Sequence, residues 1–117
     1  MKAVQIDSHG GPEALNYRDV PDPTPGNGEA VVDIQAVGVN FTDTYSRAGV
    51  NPVAALPWTC GVEAAGVVRS VGIGVTEVSP GDEVAFCTVP GTYAEQVLAP
   101  AWRLIKMPSG LDAQSGA

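Results

Sequence analysis

The chain has 117 residues, enough for one domain with an ordinary core and too few for two, because compact domains cluster at roughly 100 to 150 residues. Its hydrophobic share of 44% beside 16% charged residues belongs to a folded chain and argues against a disordered tail. Six Lys and Arg against thirteen Asp and Glu, a net charge of -7, would repel a phosphodiester backbone, so no nucleic-acid partner is expected.

The start, Met1-Lys2-Ala3-Val4-Gln5-Ile6-Asp7, reaches an acid before any signal-like apolar stretch, and no run is long enough to span a bilayer. The expectation is a cytoplasmic protein with no membrane partner. Lys2 to Ile6 reads as a first strand, Gly10-Gly11-Pro12 as a turn, and Leu15 to Val20 as a second strand in which Leu15 and Tyr17 alternate with polar positions. His9, in that turn, reads as a solvated surface histidine. The prolines of Pro21-Asp22-Pro23-Thr24-Pro25-Gly26 forbid ladder pairing and make this stretch a loop.

Glu29 to Val39 is rich in β-branched residues, with Val31, Val32, Ile34 and Val37, and reads as the long central strand, ended by Asn40. From Phe41 to Ala48 the spacing changes, with Phe41 and Tyr45 four apart, and Gly49 stands where a helix should close. This predicts a helix of about two turns. Ala64 to Val71 is a second long apolar strand, Ser79-Pro80-Gly81-Asp82 a tight turn, and Glu83 to Thr88 another strand. Gly91 to Ala99 and Trp102 to Lys106 complete the series.

Gly72-Ile73-Gly74-Val75-Thr76-Glu77 lacks the third glycine of a dinucleotide fingerprint, and Pro80-Gly81 leaves no room for the helix that must follow it, so it reads as a loop. Cys60 and Cys87 form no C-x-x-C pair or disulfide framework and read as reduced core residues. A helix starting near Asp112 would have barely one turn, too short to persist without neighbours. Short strands with turn signals and one or two short helices predict a mainly β fold, a small, partly open barrel.

The segments Gly38-Val39-Asn40-Phe41-Thr42-Asp43-Thr44-Tyr45-Ser46-Arg47, Gly61-Val62-Glu63-Ala64-Ala65-Gly66, Pro80-Gly81-Asp82-Glu83-Val84 and Gly91-Thr92-Tyr93-Ala94-Glu95 together resemble the zinc-independent NADPH:quinone oxidoreductases of the medium-chain dehydrogenase/reductase superfamily. The resemblance covers essentially the whole chain. It implies that residues 1–108 are a GroES-like catalytic domain. Residues 109–117 would begin the connection to a Rossmann domain, absent from this chain, that binds most of the NADPH. Zinc-dependent relatives place Cys and His where this chain has Asn40 and Val62, and a carboxamide and an isopropyl group do not replace a thiolate and an imidazole. No metal is therefore expected. Cys60 stands where the family often has proline.

Asn40 and Tyr45 are the catalytic candidates, because hydride transfer to a quinone builds negative charge on oxygen and oriented hydrogen-bond donors can stabilise it in place of a metal. The resemblance implies Asn40, Asp43, Tyr45 and Glu63 as contacts for the cofactor. Each has a purely structural use as well. Asn40 can cap the helix; Asp43 and Arg47, four apart with the acid first, can form a weak helical ion pair; Tyr45 can bury its ring. Glu63 sits in an apolar run, where a carboxylate must reach solvent, become protonated or find a partner.

The function implied is hydride transfer from NADPH to a quinone, by a homodimer when full length, with this chain alone inactive. Two alternatives stand beside it: a reductase of enones or enoyl thioesters in the same superfamily, and a non-enzymatic GroES-like interaction module.

Overall fold

The computed structural model describes residues 1–117. Eight strands form two antiparallel sheets. β1 (Lys2–Ile6) lies between β2 (Asn16–Asp19) and β4 (Trp58–Thr59). The second sheet runs in the order β7 (Gln96–Pro100), β3 (Glu29–Val37), β5 (Glu63–Val71), β6 (Glu83–Cys87) and β8 (Ile105–Lys106). Neither sheet closes on itself, as the mainly β, partly open reading expects.

Tertiary pairing explains why β3 and β5 are the longest strands. They face each other from Ala30↔Val71 to Val37↔Ala64, with register shifts at Val31/Val32 and Ile34/Ala36. The alternation of β-branched and small residues lets both bury one face, and the core gathers Val32, Val68, Val84, Phe86, Val97 and Leu104. Burying such side chains contributes roughly 1.5–3 kcal/mol each. A short seam joins the sheets: Tyr93 N–H donates to Cys60 C=O at 2.8 Å, Val4 N–H to Tyr93 C=O at 2.8 Å, and Cys60 N–H to Val4 C=O at 3.1 Å.

Helix α1 (Phe41–Ala48) has the expected limits, and Gly49 closes it at φ 81°. The turn Ser79 to Asp82 is closed by Asp82 N–H on Ser79 C=O at 3.0 Å. Helix α2 (Ala113–Gly116) starts behind Asp112, whose side chain accepts from Ser115 N–H. Its single turn rests on β3, β5 and β6, the neighbours that so short a helix requires.

Three readings need correction, and one strand was not foreseen. Gly91 to Glu95 is not strand: those backbone groups are drawn to the seam with Gly61, Cys60 and Val4, so regular pairing begins at Gln96. Ala101–Arg103 is a 3-10 turn, leaving only Ile105–Lys106 as strand. The Gly10–Pro12 turn runs on into a 3-10 helix at Pro12–Ala14. β4, beside the cis peptide Leu56–Pro57, gave no sequence signal because two residues carry no period. Cys60 is buried as expected, whereas Cys87 is exposed at the end of β6.

Candidate functional site

The site is assembled where β3 gives way to α1 opposite the start of β5. Gly38 N–H donates to Glu63 C=O at 3.2 Å, and the Glu63 side chain lies over Gly38, where any Cβ would collide with its carboxylate. A bare position 38 is therefore what lets residue 63 reach residue 40. The Asn40 carboxamide Nδ2 donates to Glu63 Oε1 at 3.0 Å. Glu63 is half-buried, so its carboxylate keeps contact with water while holding this partner.

Asn40 is also the N-cap of α1, in extended conformation at φ -121° and ψ 155°, and shares a capping box with Asp43. Its backbone N–H donates to Asp43 Oδ2 at 2.8 Å. The same oxygen accepts the Tyr93 hydroxyl at 2.7 Å. Asp43 is only 6% exposed, and its other oxygen, Oδ1, is buried without a partner. Burial, and then the bond to Asp43, push the Tyr93 phenol well above its ordinary pKa, so Tyr93 remains a donor across the neutral range.

Tyr93 reaches Asp43 because of Gly61. That residue sits at φ 87°, and the space a Cβ would take there is filled by the Tyr93 ring and the Thr92 hydroxyl. Cys60, next in line and 1% exposed, has its thiol pKa raised, first by burial and then by Asp43. Such a thiol is a poor nucleophile.

Of the four expected residues, the fold brings Asn40, Asp43 and Glu63 into one hydrogen-bonded group. Tyr45 lies two positions past Asp43, roughly 200° round the helix, and is 50% exposed. Its side chain takes no part in the group. The Asp43–Arg47 ion pair does not form: Asp43 is engaged by Tyr93 and Asn40, and Arg47 Nε donates to Gly10 C=O at 3.2 Å. His9 is exposed, as expected, and its Nδ1 lies 3.2 Å from Ser46 C=O at the C-terminal end of α1. Sequence reasoning missed Tyr93 as a site residue. Its local signal was a β-like run, and nothing near it points to a residue fifty positions away.

A cavity of about 140 Å³ opens beside the group, lined by Val39, Asn40, Asp43, Thr44, Cys60 and Tyr93 among others. A recess of about 200 Å³ adjoins it at Val39, Asn40, Phe41 and Thr44. No three His, Cys, Asp or Glu side chains converge as a metal-binding set. The arrangement offers one held carboxamide with a spare N–H, flanked by the exposed apolar side chains of Val39 and Phe41. Such a surface can orient a flat, polar-edged ring and donate to an oxygen on it.

Comparison with known proteins gives a consistent picture. The family model of the alcohol dehydrogenase GroES-like domain matches residues 26–109. The quinone oxidoreductase of Pseudomonas aeruginosa is 42% identical over 117 residues, covering 99% of this chain and 36% of that protein. The 2-haloacrylate reductase of a Burkholderia species is 43% identical over 116 residues, 96% of this chain and 35% of that protein. Among solved structures, the quinone oxidoreductase of Pseudomonas syringae pv. tomato DC3000 superposes with a TM-score of 0.96 at 40% identity, over 98% of this chain and 36% of that one. The Escherichia coli quinone oxidoreductase complexed with NADPH gives 0.96 at 32% identity, over 99% and 36%. The chain thus spans little more than a third of the length of these relatives.

Proposed function

The chain belongs to the alcohol dehydrogenase GroES-like domain family, and on that footing we propose that it is the catalytic part of a longer oxidoreductase that passes hydride from NADPH to a quinone without zinc. Residues 1–108 form the catalytic domain in this reading, and residues 109–117 lead toward a Rossmann domain. The observation that carries it is the Asn40 carboxamide, fixed on Glu63 at the position where zinc-dependent relatives have a thiolate.

The side chains suit the nicotinamide end of the cofactor and no more of it. Glu63 Oε1 is taken by Asn40, and its other oxygen offers an acceptor to the nicotinamide carboxamide, which leaves the spare Asn40 N–H for the electron acceptor. The loop of Gly72 to Val75 has no helix behind it to receive a pyrophosphate. When bound, NADPH would supply two electrons and a proton as hydride. Asn40 donates to the acceptor oxygen as charge gathers there, water delivers the second proton, and the quinone leaves as hydroquinone. Val39 and Phe41 shield the ring from solvent. Tyr45, exposed on α1 four residues after Phe41, would contact an acceptor lying over that helix, and Asp43 holds the N-cap from behind.

A second reading keeps the chemistry and changes the acceptor to an activated double bond, an enone or enoyl thioester. It is favoured by the resemblance to the 2-haloacrylate reductase. A cytoplasmic homodimer completes the proposal, since the unpaired Cys60 and Cys87 suit a reducing compartment. The deciding experiment is NADPH oxidation by the longer protein that carries this chain, with quinones and with enones, before and after exhaustive chelation. Turnover with quinones that survives chelation supports the reading; loss of turnover restored by zinc would overturn it.

A further inference from the structure

We infer that Tyr93 is a positioning residue of this site, acting through Asp43 on Asn40. It deepens the proposed function and rests on it only for the kinetic consequence; the structural claim stands on the chain itself. Asp43 Oδ2 holds two donors at once, the Tyr93 hydroxyl at 2.7 Å and the Asn40 backbone N–H at 2.8 Å, while Oδ1 holds none. A buried carboxylate with one loaded and one bare oxygen is free to rotate about its Cβ–Cγ bond unless something outside the helix fixes it.

The capping bond from Asn40 cannot do so, because the N-cap of a two-turn helix is itself mobile without external support. Tyr93 can. Its ring is seated on Gly61 and its backbone is built into the seam by Cys60 C=O and Val4 N–H, so its hydroxyl is a fixed point delivered by the sheets rather than by α1. The chain of constraint runs from Gly61 through the Tyr93 ring and the Asp43 carboxylate to the Asn40 backbone. With that backbone fixed, the carboxamide meets Glu63 at 3.0 Å and presents its other N–H in one direction. Tyr93 touches the bound molecules only indirectly in this scheme, and its effect is on the angle at which Asn40 donates.

The test uses isotope-labelled protein of this chain and Tyr93→Phe, which keeps the ring over Gly61 and removes only the hydroxyl. Wild-type protein should give widely separated shifts for the two Asn40 carboxamide protons, one held by Glu63. In Tyr93→Phe they should converge, and Asn40 backbone N–H exchange should quicken about tenfold, the loss of one charge-assisted bond, with exchange in β3 and β5 unchanged. A merely structural role would instead speed exchange throughout the sheets. Asp43→Ala provides a second route should Tyr93→Phe fold poorly: it removes the shared acceptor, so it should release the Asn40 carboxamide likewise, and adding Tyr93→Phe to it should change the Asn40 signals no further. Asn40 signals that stay in place in a folded variant overturn the inference. In the longer protein, Tyr93→Phe should lower kcat about tenfold and leave the KM for NADPH within about twofold. If the Asn40 signals move and turnover does not, the positioning stands and the proposed reaction falls.

Discussion

The Asn40 carboxamide nitrogen lies 3.0 Å from Glu63 Oε1, and that bond decides which way the carboxamide faces. A carboxylate oxygen accepts and does not donate, so Nδ2 turns to Glu63 and one N–H is left over. Asn40→Ala in the longer protein should therefore lower turnover by up to roughly a hundredfold, the low end of the usual cost of a lost oriented donor, because a quinone is itself a good hydride acceptor. Glu63→Gln should have a smaller effect in the same direction, because a glutamine oxygen can still accept from Asn40. Steady-state kinetics with a quinone acceptor measure both, and wild-type rates in Asn40→Ala would discard the assignment.

Gly61 carries two demands at once, a φ of 87° and room for the Tyr93 ring. Gly61→Ala meets neither, and strain plus overpacking should cost about 2 to 4 kcal/mol. Urea unfolding followed by circular dichroism would register it as a lower midpoint with little change in slope.

Thr92 is fully buried, at 0% exposure, and its hydroxyl has no hydrogen-bond partner. Thr92→Val replaces that hydroxyl with a methyl group of similar size and removes an unpaired polar atom. The expected outcome is neutral to stabilising by about 1 kcal/mol, measured in the same urea titration. Clear destabilisation would mean that the hydroxyl is satisfied in solution.

The two thiols should differ sharply in reactivity. Cys87 is exposed, whereas Cys60 is buried and its thiol pKa is raised by burial and by Asp43. Brief alkylation at neutral pH followed by peptide mass spectrometry should find the label on Cys87 alone. Cys60 should react only when the chain is unfolded.

The Tyr93 phenol titrates higher in the folded chain than in the unfolded one, through burial and its bond to Asp43. The folded state then retains a proton that the unfolded state loses. Tyr93 thus contributes stability that is fully present below the unfolded value of about 10 and falls as pH rises through the folded one. Unfolding midpoints across this alkaline range should fall more steeply for wild type than for Tyr93→Phe.

Much of the fold was legible because its signals are local. The limits of α1 follow from Asn40 at one end and Gly49 at the other, and the long strands follow from the β-branched runs of β3 and β5. The seam was illegible because Gly91 to Glu95 has the composition of a strand and departs from one only under the pull of Cys60 and Val4. The site divides in the same way. Asn40, Asp43 and Glu63, singled out through the family resemblance, do come together in one hydrogen-bonded group. Tyr93 was not, because what makes it a partner of Asp43 is a bare Gly61 under its ring. The expected Asp43–Arg47 pair failed because the helix-surface rule assumes solvent on both sides, and Asp43 faces inward.

Two turns of helix carry the site, and they are fastened at three points to distant stretches of chain: Gly10 and His9 at the C-terminal end, Glu63 at the N-cap, and Tyr93 between them. The candidate site thus depends on the finished domain, since none of its segments holds the arrangement by itself. A nick or slip in any one of those stretches would scatter its members while the sheets still held, so loss of the site would be the first symptom of damage, ahead of any melting.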